Sequence, residues 1–481
     1  MKDELLRLRL PKGIRPERGI ALLTLLALVA LGAALALLAM ANPLPGELKR
    51  EQVTRKALAT AKEALIAYAT NYGDAHPGQV PGYLPCPDLG VGGIGGEGSA
   101  EASCGTANTT VIGRLPWKTL GIEPPRDGYA ECLWYAVSGT FKNNPKTELM
   151  NWDTLGQIEV YAPDGVSFLT GSQPENRAAA VIFAPGIALG QDRQDDDPLT
   201  PQRPVCSEDY TAARFLEAVG AVSNAAANGT AGAISRFIAA EKGDGFNDRL
   251  LVVTPAEIFA AVEKRSDFAP KLAGLAQTAA QCLTQYAATN TGYAAGDHRF
   301  PWTAPVSLTA YTADGYFDDA ANSLSGRYPF QVDTSKATPI SNPLLSTVSG
   351  ASCAYRPGGV DENWWKNWKD HLFYALSASF KPTAWPPSPL TCASGCMAVN
   401  GNSGKVAIVM FAGRRLPGQT RSNDAAKGNP GNYLEGRNLT NHPNTGGIGN
   451  YEANAASAAF NDVLYCVTLD GIGNPTATAC P

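Results

Sequence analysis

The residue types that most often carry enzymatic chemistry are few and scattered in this sequence. None of the four histidines in the 481-residue chain belongs to an H-E-x-x-H pair. The sequence also contains no G-x-S-x-G nucleophile elbow and no phosphate-binding P-loop. We therefore expect a protein that is not an enzyme and that needs no organic cofactor. The histidines are His76, His298, His371 and His442.

One acidic run has the right atoms for a metal ion. The segment "GQDRQDDDP" places Asp192, Asp195, Asp196 and Asp197 close together. Carboxylate oxygens suit calcium, so these residues are a candidate calcium site. The run lacks the residue order of an EF-hand, however, and a similar segment later in the chain reads "GQTRSND". The sequence therefore favours a solvated acidic turn, with calcium as the alternative.

The ten cysteines are expected to form disulfide bonds. The chain opens with a membrane-length apolar run, and the compartment across that membrane is oxidising. Sequence proximity favours Cys86 with Cys104, Cys392 with Cys396, and Cys466 with Cys480. Other pairings stay open, since the sequence alone cannot fix connectivity. The C-x-x-x-C spacing is neither the redox nor the zinc pattern, so we expect no zinc.

A dense aromatic cluster stands in "ENWWKNW". Trp364, Trp365 and Trp368 provide a large aromatic area within five residues. Aromatic side chains commonly pack in a core, which is one interpretation. The other is a contact patch for a ligand or partner, if the protein is an adhesin.

These residues must be positioned by elements that begin at the membrane. Residues 20–40 form an uncharged run from Ile20 to Met40. At ~1.5 Å per residue, such a helix spans about 31 Å, the thickness of the bilayer core. The sequence therefore predicts a transmembrane helix. A secretory signal is the rival, because Ala39, Met40 and Ala41 form an A-x-A cleavage pattern.

A second helix is predicted directly after a proline break at Pro43 and Pro45. Its apolar residues recur every three or four positions, the period of an amphipathic helix. Short β-rich segments follow, separated by long loops rich in Gly, Pro and Asn, which favours an α+β fold with antiparallel pairing. The predicted helical stripe is Val53, Ala57, Ala61, Leu65, Tyr68 and Tyr72.

The chain contains an internal repeat of a little over two hundred residues. "ECLWYAVSGTFK" returns as "DHLFYALSASFK", and "FNDRLLVVT" returns as "FNDVLYCVT". Three further pairs of segments match in the same order. We predict two homologous units, residues 46–262 and residues 263–481, and the second keeps a soluble helix with Leu272, Leu275, Ala279, Cys282 and Tyr286 on one face.

The N-terminal segment "RGIALLTLLALVAL", followed by "ALIAYATNYG", resembles type IV pilins and type II secretion pseudopilins. "GYLPCPDLG" and "GRLPWKTLGI" also resemble segments that lead from the helix to the sheet in large members of that family. The resemblance implies that residues 1–19 are a basic leader, cut by a prepilin peptidase after Gly19, with methylation of Ile20. Thr24 stands where the family usually has Glu, and a buried carboxylate there needs a neighbour to pair with it. A subunit at the filament tip has no such neighbour above it.

The resemblance implies a structural function: a minor pilin or pseudopilin anchored in a bacterial inner membrane, with its doubled head in the periplasm. Its partners would be the prepilin peptidase, the inner-membrane assembly platform and other pilins, and it would reach a pilus or the cell surface. One alternative is a secreted or periplasmic binding protein or adhesin, released after Ala41. Another is a membrane-tethered enzyme. The net charge of -5 and the absence of a basic patch argue against nucleic acid as a partner.

Overall fold

The chain combines helices with mainly antiparallel sheets, and the α+β prediction is confirmed. The computed structural model describes residues 45–90, 96–146, 149–191, 193, 205–206, 208–289, 298–308, 311, 323–329, 362–382, 392 and 395–481. None of the helices in these ranges is long and apolar enough to cross a membrane. The predicted leader and the predicted transmembrane helix, residues 1–40, lie outside the described residues.

In the first half of the chain, a long helix lies on a four-stranded antiparallel sheet of order β1-β2-β5-β9. A second, smaller sheet has the order β4-β3-β8. In it, β3 pairs with β4 antiparallel and with β8 in parallel. The elements are α1 (Pro45–Thr70), α2 (Tyr72–Ala75), β1 (Val111–Arg114), β2 (Trp134–Val137), β3 (Ile158–Tyr161), β4 (Phe168–Thr170), β5 (Ala180–Ala184), β6 (Ala218–Val219), β7 (Val222–Ser223), β8 (Ser235–Ile238), β9 (Arg249–Val253) and α3 (Pro255–Val262).

In the second half, another long helix lies on a five-stranded antiparallel sheet of order β10-β11-β14-β16-β17. A three-stranded sheet of order β13-β12-β15 again contains one parallel pair, β12 with β15. The elements are α4 (Phe268–Thr289), β10 (Ser325–Arg327), α5 (Glu362–Trp368), β11 (Leu372–Leu376), β12 (Met397–Val399), β13 (Asn402–Lys405), β14 (Ala407–Phe411), α6 (Asp424–Lys427), α7 (Gly436–Thr440), β15 (Asn450–Tyr451), β16 (Val463–Leu469) and β17 (Pro475–Ala479).

The segments that match in sequence occupy matching places in the two halves. The hydroxyl of Tyr135 in β2 donates to the carbonyl of Pro85 over 3.2 Å. The hydroxyl of Tyr374 in β11 donates to the carbonyl of Pro301 over the same distance. Strand β2 pairs with β5, and β11 pairs with β14, both antiparallel.

The predicted helical stripes are buried except at Val53, which is exposed, and Tyr68, which is partly buried. In α1, Ala61 and Leu65 are fully buried against the sheet. Val53, which the period also placed in the stripe, is 42% exposed, and Thr54 is buried in its place. The first turns of α1, residues 46–50, are exposed, and Thr54 is the first buried residue of the helix. In α4 the whole predicted stripe is buried: Leu272, Leu275, Ala279, Cys282 and Tyr286.

One hydrophobic cluster connects the two halves of the chain. It contains Leu65 of α1 and Ile182 of β5 together with Leu275 of α4 and Val409 of β14. The apolar faces of both long helices and both main sheets therefore belong to one continuous core.

Candidate functional site

Of the two interpretations of the aromatic cluster, packing in the core is confirmed for two of its three residues, and the contact patch is wrong for those two. Trp365 and Trp368 in α5 are fully buried, and Trp364 is half-buried. The indole of Trp368 meets Trp152 edge-on, with ring centroids 4.6 Å apart, and lies 5.8 Å from Phe268. Burying such large rings removes a large apolar area from water and so stabilises the fold. Trp152 and Trp368 therefore join the two halves of the molecule.

A buried cluster of charged side chains lies beside this aromatic contact. Asp153 comes from the first half of the chain, and its Oδ2 lies 3.0 Å from Nη1 of Arg421 and 3.1 Å from Nε2 of His371. Its Oδ1 lies 3.1 Å from Nε of Arg415. Burial alone would raise the pKa of Asp153, but these three side chains hold it well below its usual range. We call Asp153, His371, Arg415 and Arg421 the interdomain ion cluster.

Amide side chains continue this contact. Asn151 donates from Nδ2 to the Oδ1 of Asp370 over 3.0 Å and to the carbonyl of Asn367 over 2.8 Å. The Oδ1 of Asn367 in turn accepts from the backbone N–H of Met150 over 2.6 Å. Residues 150–153 are thus held to α5 and its C-terminal end by polar as well as aromatic contacts.

Three of these groups have the composition of a metal site. The ligand atoms of Asp153, Asp370 and His371 lie within 4.8 Å of one another. Both oxygens of Asp153 already face a guanidinium group, and Arg421 also lies 3.4 Å from Nδ1 of the histidine. A divalent cation would add two positive charges beside two fixed ones. The donor set therefore fits an ion pair better than a metal ion.

The first half of the chain also contains a buried pair of carboxyl groups. Glu217 accepts at Oε2 from the backbone N–H groups of Asn247 and Asp248, over 3.0 Å and 3.1 Å. Asp248 accepts at Oδ2 from the N–H of Glu217 over 3.0 Å and from Asn224 over 2.9 Å. Burial and the adjacent Glu217 raise the pKa of Asp248 to about 8.

The second half repeats this pair at the matching positions. Glu435 accepts at Oε2 from the N–H of Asn461 over 3.1 Å. Asp462 accepts from the N–H of Glu435 over 3.2 Å and from Asn438 over 3.0 Å. Burial and Glu435 raise the pKa of Asp462 well above its usual range. Because each half has its own copy, positioned by backbone donors, the pair serves the fold in both.

Disulfide bonds form as the sequence predicted. The bonds Cys86–Cys104, Cys392–Cys396 and Cys466–Cys480 are all present. A fourth bond joins Cys132 to Cys206, 74 positions apart, a separation at which proximity gives no guidance. Cys282 is disulfide-bonded as well.

Two groups of predicted site residues lie outside the described part of the chain. They are the processing residues Gly19, Ile20 and Thr24, and the acidic run Asp192, Asp195, Asp196 and Asp197. Calcium at that run stays a prediction.

The interdomain ion cluster was not predicted, although one feature of the sequence pointed to it. Arg193 in "GQDR" matches Arg421 in "GQTR". Nη1 of Arg193 donates to the carbonyl of Gly186, just after β5, over 2.8 Å. Nη1 of Arg421 donates to the carbonyl of Gly413, just after β14, over 3.1 Å. Nothing in the sequence indicated that Arg421 would also reach across to Asp153.

Comparisons with models of protein families, with curated proteins and with solved structures gave no match for this chain.

Proposed function

We propose that the chain is a minor pilin or pseudopilin, inserted through its N-terminal helix into a type IV pilus or a type II secretion-like pseudopilus. The observation that carries this proposal is the placement of α1. The helix begins at Pro45, shortly after the apolar run that ends at Met40. Its first turns are exposed, and its later turns lie on an antiparallel sheet. A helix so placed leads from a membrane anchor to a globular head.

The proposal includes a tandem duplication of the head. Its support is the repetition of whole contact sets, beyond the sequence matches. Arg114 lies over the rings of Trp134 and Phe215, at 4.9 Å and 4.6 Å. Arg327 lies over those of Phe373 and Tyr433, at 4.9 Å and 4.7 Å. Together with the two carboxyl pairs, these contacts favour descent of both units from one pilin-like domain.

In this proposal the chain catalyses no reaction and occupies the filament tip. Thr24 supports the tip position, because an uncharged side chain at this place needs no neighbour to neutralise it. The prepilin peptidase, the inner-membrane assembly platform and other pilins are the proposed partners. The proposed location is the inner membrane, with one membrane pass and the head in the periplasm, and later the pilus or the cell surface.

The deciding experiment is the intact mass and N-terminal sequence of the mature protein from its native membrane. The proposal expects a methylated N-terminus at Ile20. The variant Gly19→Val should keep the leader of residues 1–19, whereas the control Ala41→Leu should be processed like the unmodified chain. A mature N-terminus at Asn42 that the Ala41→Leu change abolishes would refute the proposal and establish a secreted or periplasmic protein instead.

The tip position has its own test. Gold-labelled antibodies against the head should mark one end of sheared filaments in electron micrographs. Label spaced along the shaft would contradict the tip position while leaving the pilin assignment intact.

A further inference from the structure

The two halves differ at one edge of their main sheets. Strand β16 in the second half is covered on its outer edge by β17, with Cys466 opposite Thr478 and Val467 opposite Ala477. Strand β9 matches β16 in sequence, yet it is the last strand of its sheet in the described part of the chain. Among the described residues, the sheet of the first half has no counterpart of β17.

Burial differs between the two strands at two of their matching positions. Leu464 and Cys466 in β16 are 4% and 1% exposed. Their matches in β9, Leu250 and Val252, are only half-buried. Val253 and Val467, the next pair, are both fully buried, although Ala477 of β17 lies opposite Val467. The difference in burial is therefore found on the face of the strand that carries Leu250 and Val252. A strand added at this edge would bury the two half-exposed apolar side chains.

The open edge carries little that would keep another strand away. Proteins blunt exposed edges with charged residues, prolines or bulges. Strand β9 pairs with β5 in regular register without a bulge, and residues 250–253 read "LLVV". The one charged residue of β9 is Arg249, the first residue of the strand. Its Nε lies 3.6 Å from Oε1 of Glu51 in α1.

The second half also shows which kind of strand fits. Strand β17 reads "PTATA" and carries no charge. Ala477 packs against the core under α4, whereas Cys480 packs on the opposite face with Cys466. A long helix lies over both main sheets, so only small side chains fit between helix and added strand.

We propose that the outer edge of β9 binds an extended segment of a partner protein as an additional antiparallel strand. The segment is uncharged, with small residues facing α1 and β-branched residues facing Leu250 and Val252. Main-chain hydrogen bonds supply affinity, and the alternation of side chains supplies specificity. This inference does not depend on where the chain is processed.

Disulfide trapping tests the edge with a probe of known sequence. The probe is the peptide of residues 474–481, "NPTATACP", added to the full chain in lipid nanodiscs under a glutathione redox buffer. Val252 matches Cys466, whose Cα lies 5.1 Å from that of Cys480 in the native bond. The variant Val252→Cys should therefore cross-link to the peptide. The matched control is Leu251→Cys, whose side chain points to the opposite face of the strand.

The expected result is at least about tenfold more cross-link with Val252→Cys than with Leu251→Cys, because neighbouring residues face opposite sides of a strand. A peptide carrying the change Thr478→Pro loses a backbone donor and should lose the cross-link. Equal cross-linking of both variants would overturn the proposal. Disulfide-linked dimers of Val252→Cys without peptide would overturn it too, because the edge would then pair with a second copy. A mature N-terminus at Asn42 would refute the proposed function and leave this result unaffected.

Discussion

At the scale of single residues, Asp153 is the charge on which the contact between the halves depends. Two guanidinium groups and an imidazole surround its carboxylate. Removing one partner of a buried ion pair leaves the others without compensation. We expect Asp153→Asn to lower the free energy of unfolding by about 3–5 kcal/mol. Urea denaturation measures this change.

The control for this prediction is Asp244→Asn, at an exposed carboxyl group in the same half of the chain. We expect that variant to stay within about 0.5 kcal/mol of the unmodified protein. A loss of equal size in both variants would mean that the ion cluster contributes nothing beyond the general effect of an Asp-to-Asn change.

The carboxyl pairs predict how stability depends on pH. Asp248 has a pKa of about 8 in the folded chain against an ordinary value of 3.8, so the folded state binds more protons between these values. The contribution of this group to stability is complete below pH 3.8 and is lost as the pH rises through about 8. Asp462, whose pKa is also raised, acts in the same direction.

We therefore expect Asp248→Asn together with Asp462→Asn to flatten this decline. An amide resembles the protonated carboxyl group in shape and donor capacity, so it can replace that form at every pH. Unfolding free energies measured from pH 5 to pH 9 check the prediction. An unchanged slope in the double variant would assign the pH dependence to other groups.

At the scale of elements, the two long helices show how far periodicity predicts packing. The α4 stripe was predicted completely, because α4 lies over its sheet along that entire face. Val53 was misplaced, because the period identifies a face of a helix but not where the sheet beneath it ends. For Trp365 and Trp368 the core interpretation holds and the contact-patch interpretation does not. The sequence left both open, because Trp368 packs on Trp152, which is distant in sequence.

Two members of the α1 stripe, one buried and one exposed, offer a direct test of this explanation. Leu65 is fully buried, so Leu65→Ala should cost about 2–5 kcal/mol of unfolding free energy. Val53 is 42% exposed, so Val53→Ala should cost less than about 0.5 kcal/mol. Guanidinium titrations of the two variants compare them. Similar losses would place the start of helix packing earlier than Thr54.

At the scale of the whole molecule, the repeat predicted two homologous units but not the packing of one half against the other. Matching segments identify the strands that each half contributes, and the structure gives each half its own antiparallel sheet. The packing between the halves depends on contacts that are not repeated within each half, such as that of Trp152 with Trp368. A sequence pattern that both copies share does not predict which residues of one copy contact the other. The continuous core and the interdomain ion cluster were for this reason beyond the sequence.

A continuous core predicts that the two halves unfold together. Independent domains would give two calorimetric transitions, whereas a shared core couples them into one. Trp368→Ala should cost about 3–5 kcal/mol, because it opens a cavity at the contact. It should also split the single transition into two, since Trp152 and Phe268 lose their partner. Trp117→Ala, in the first half and outside the shared core, should lower the melting temperature without splitting the transition. Two transitions in the unmodified chain would contradict this prediction and make the halves independent domains joined only by their linker.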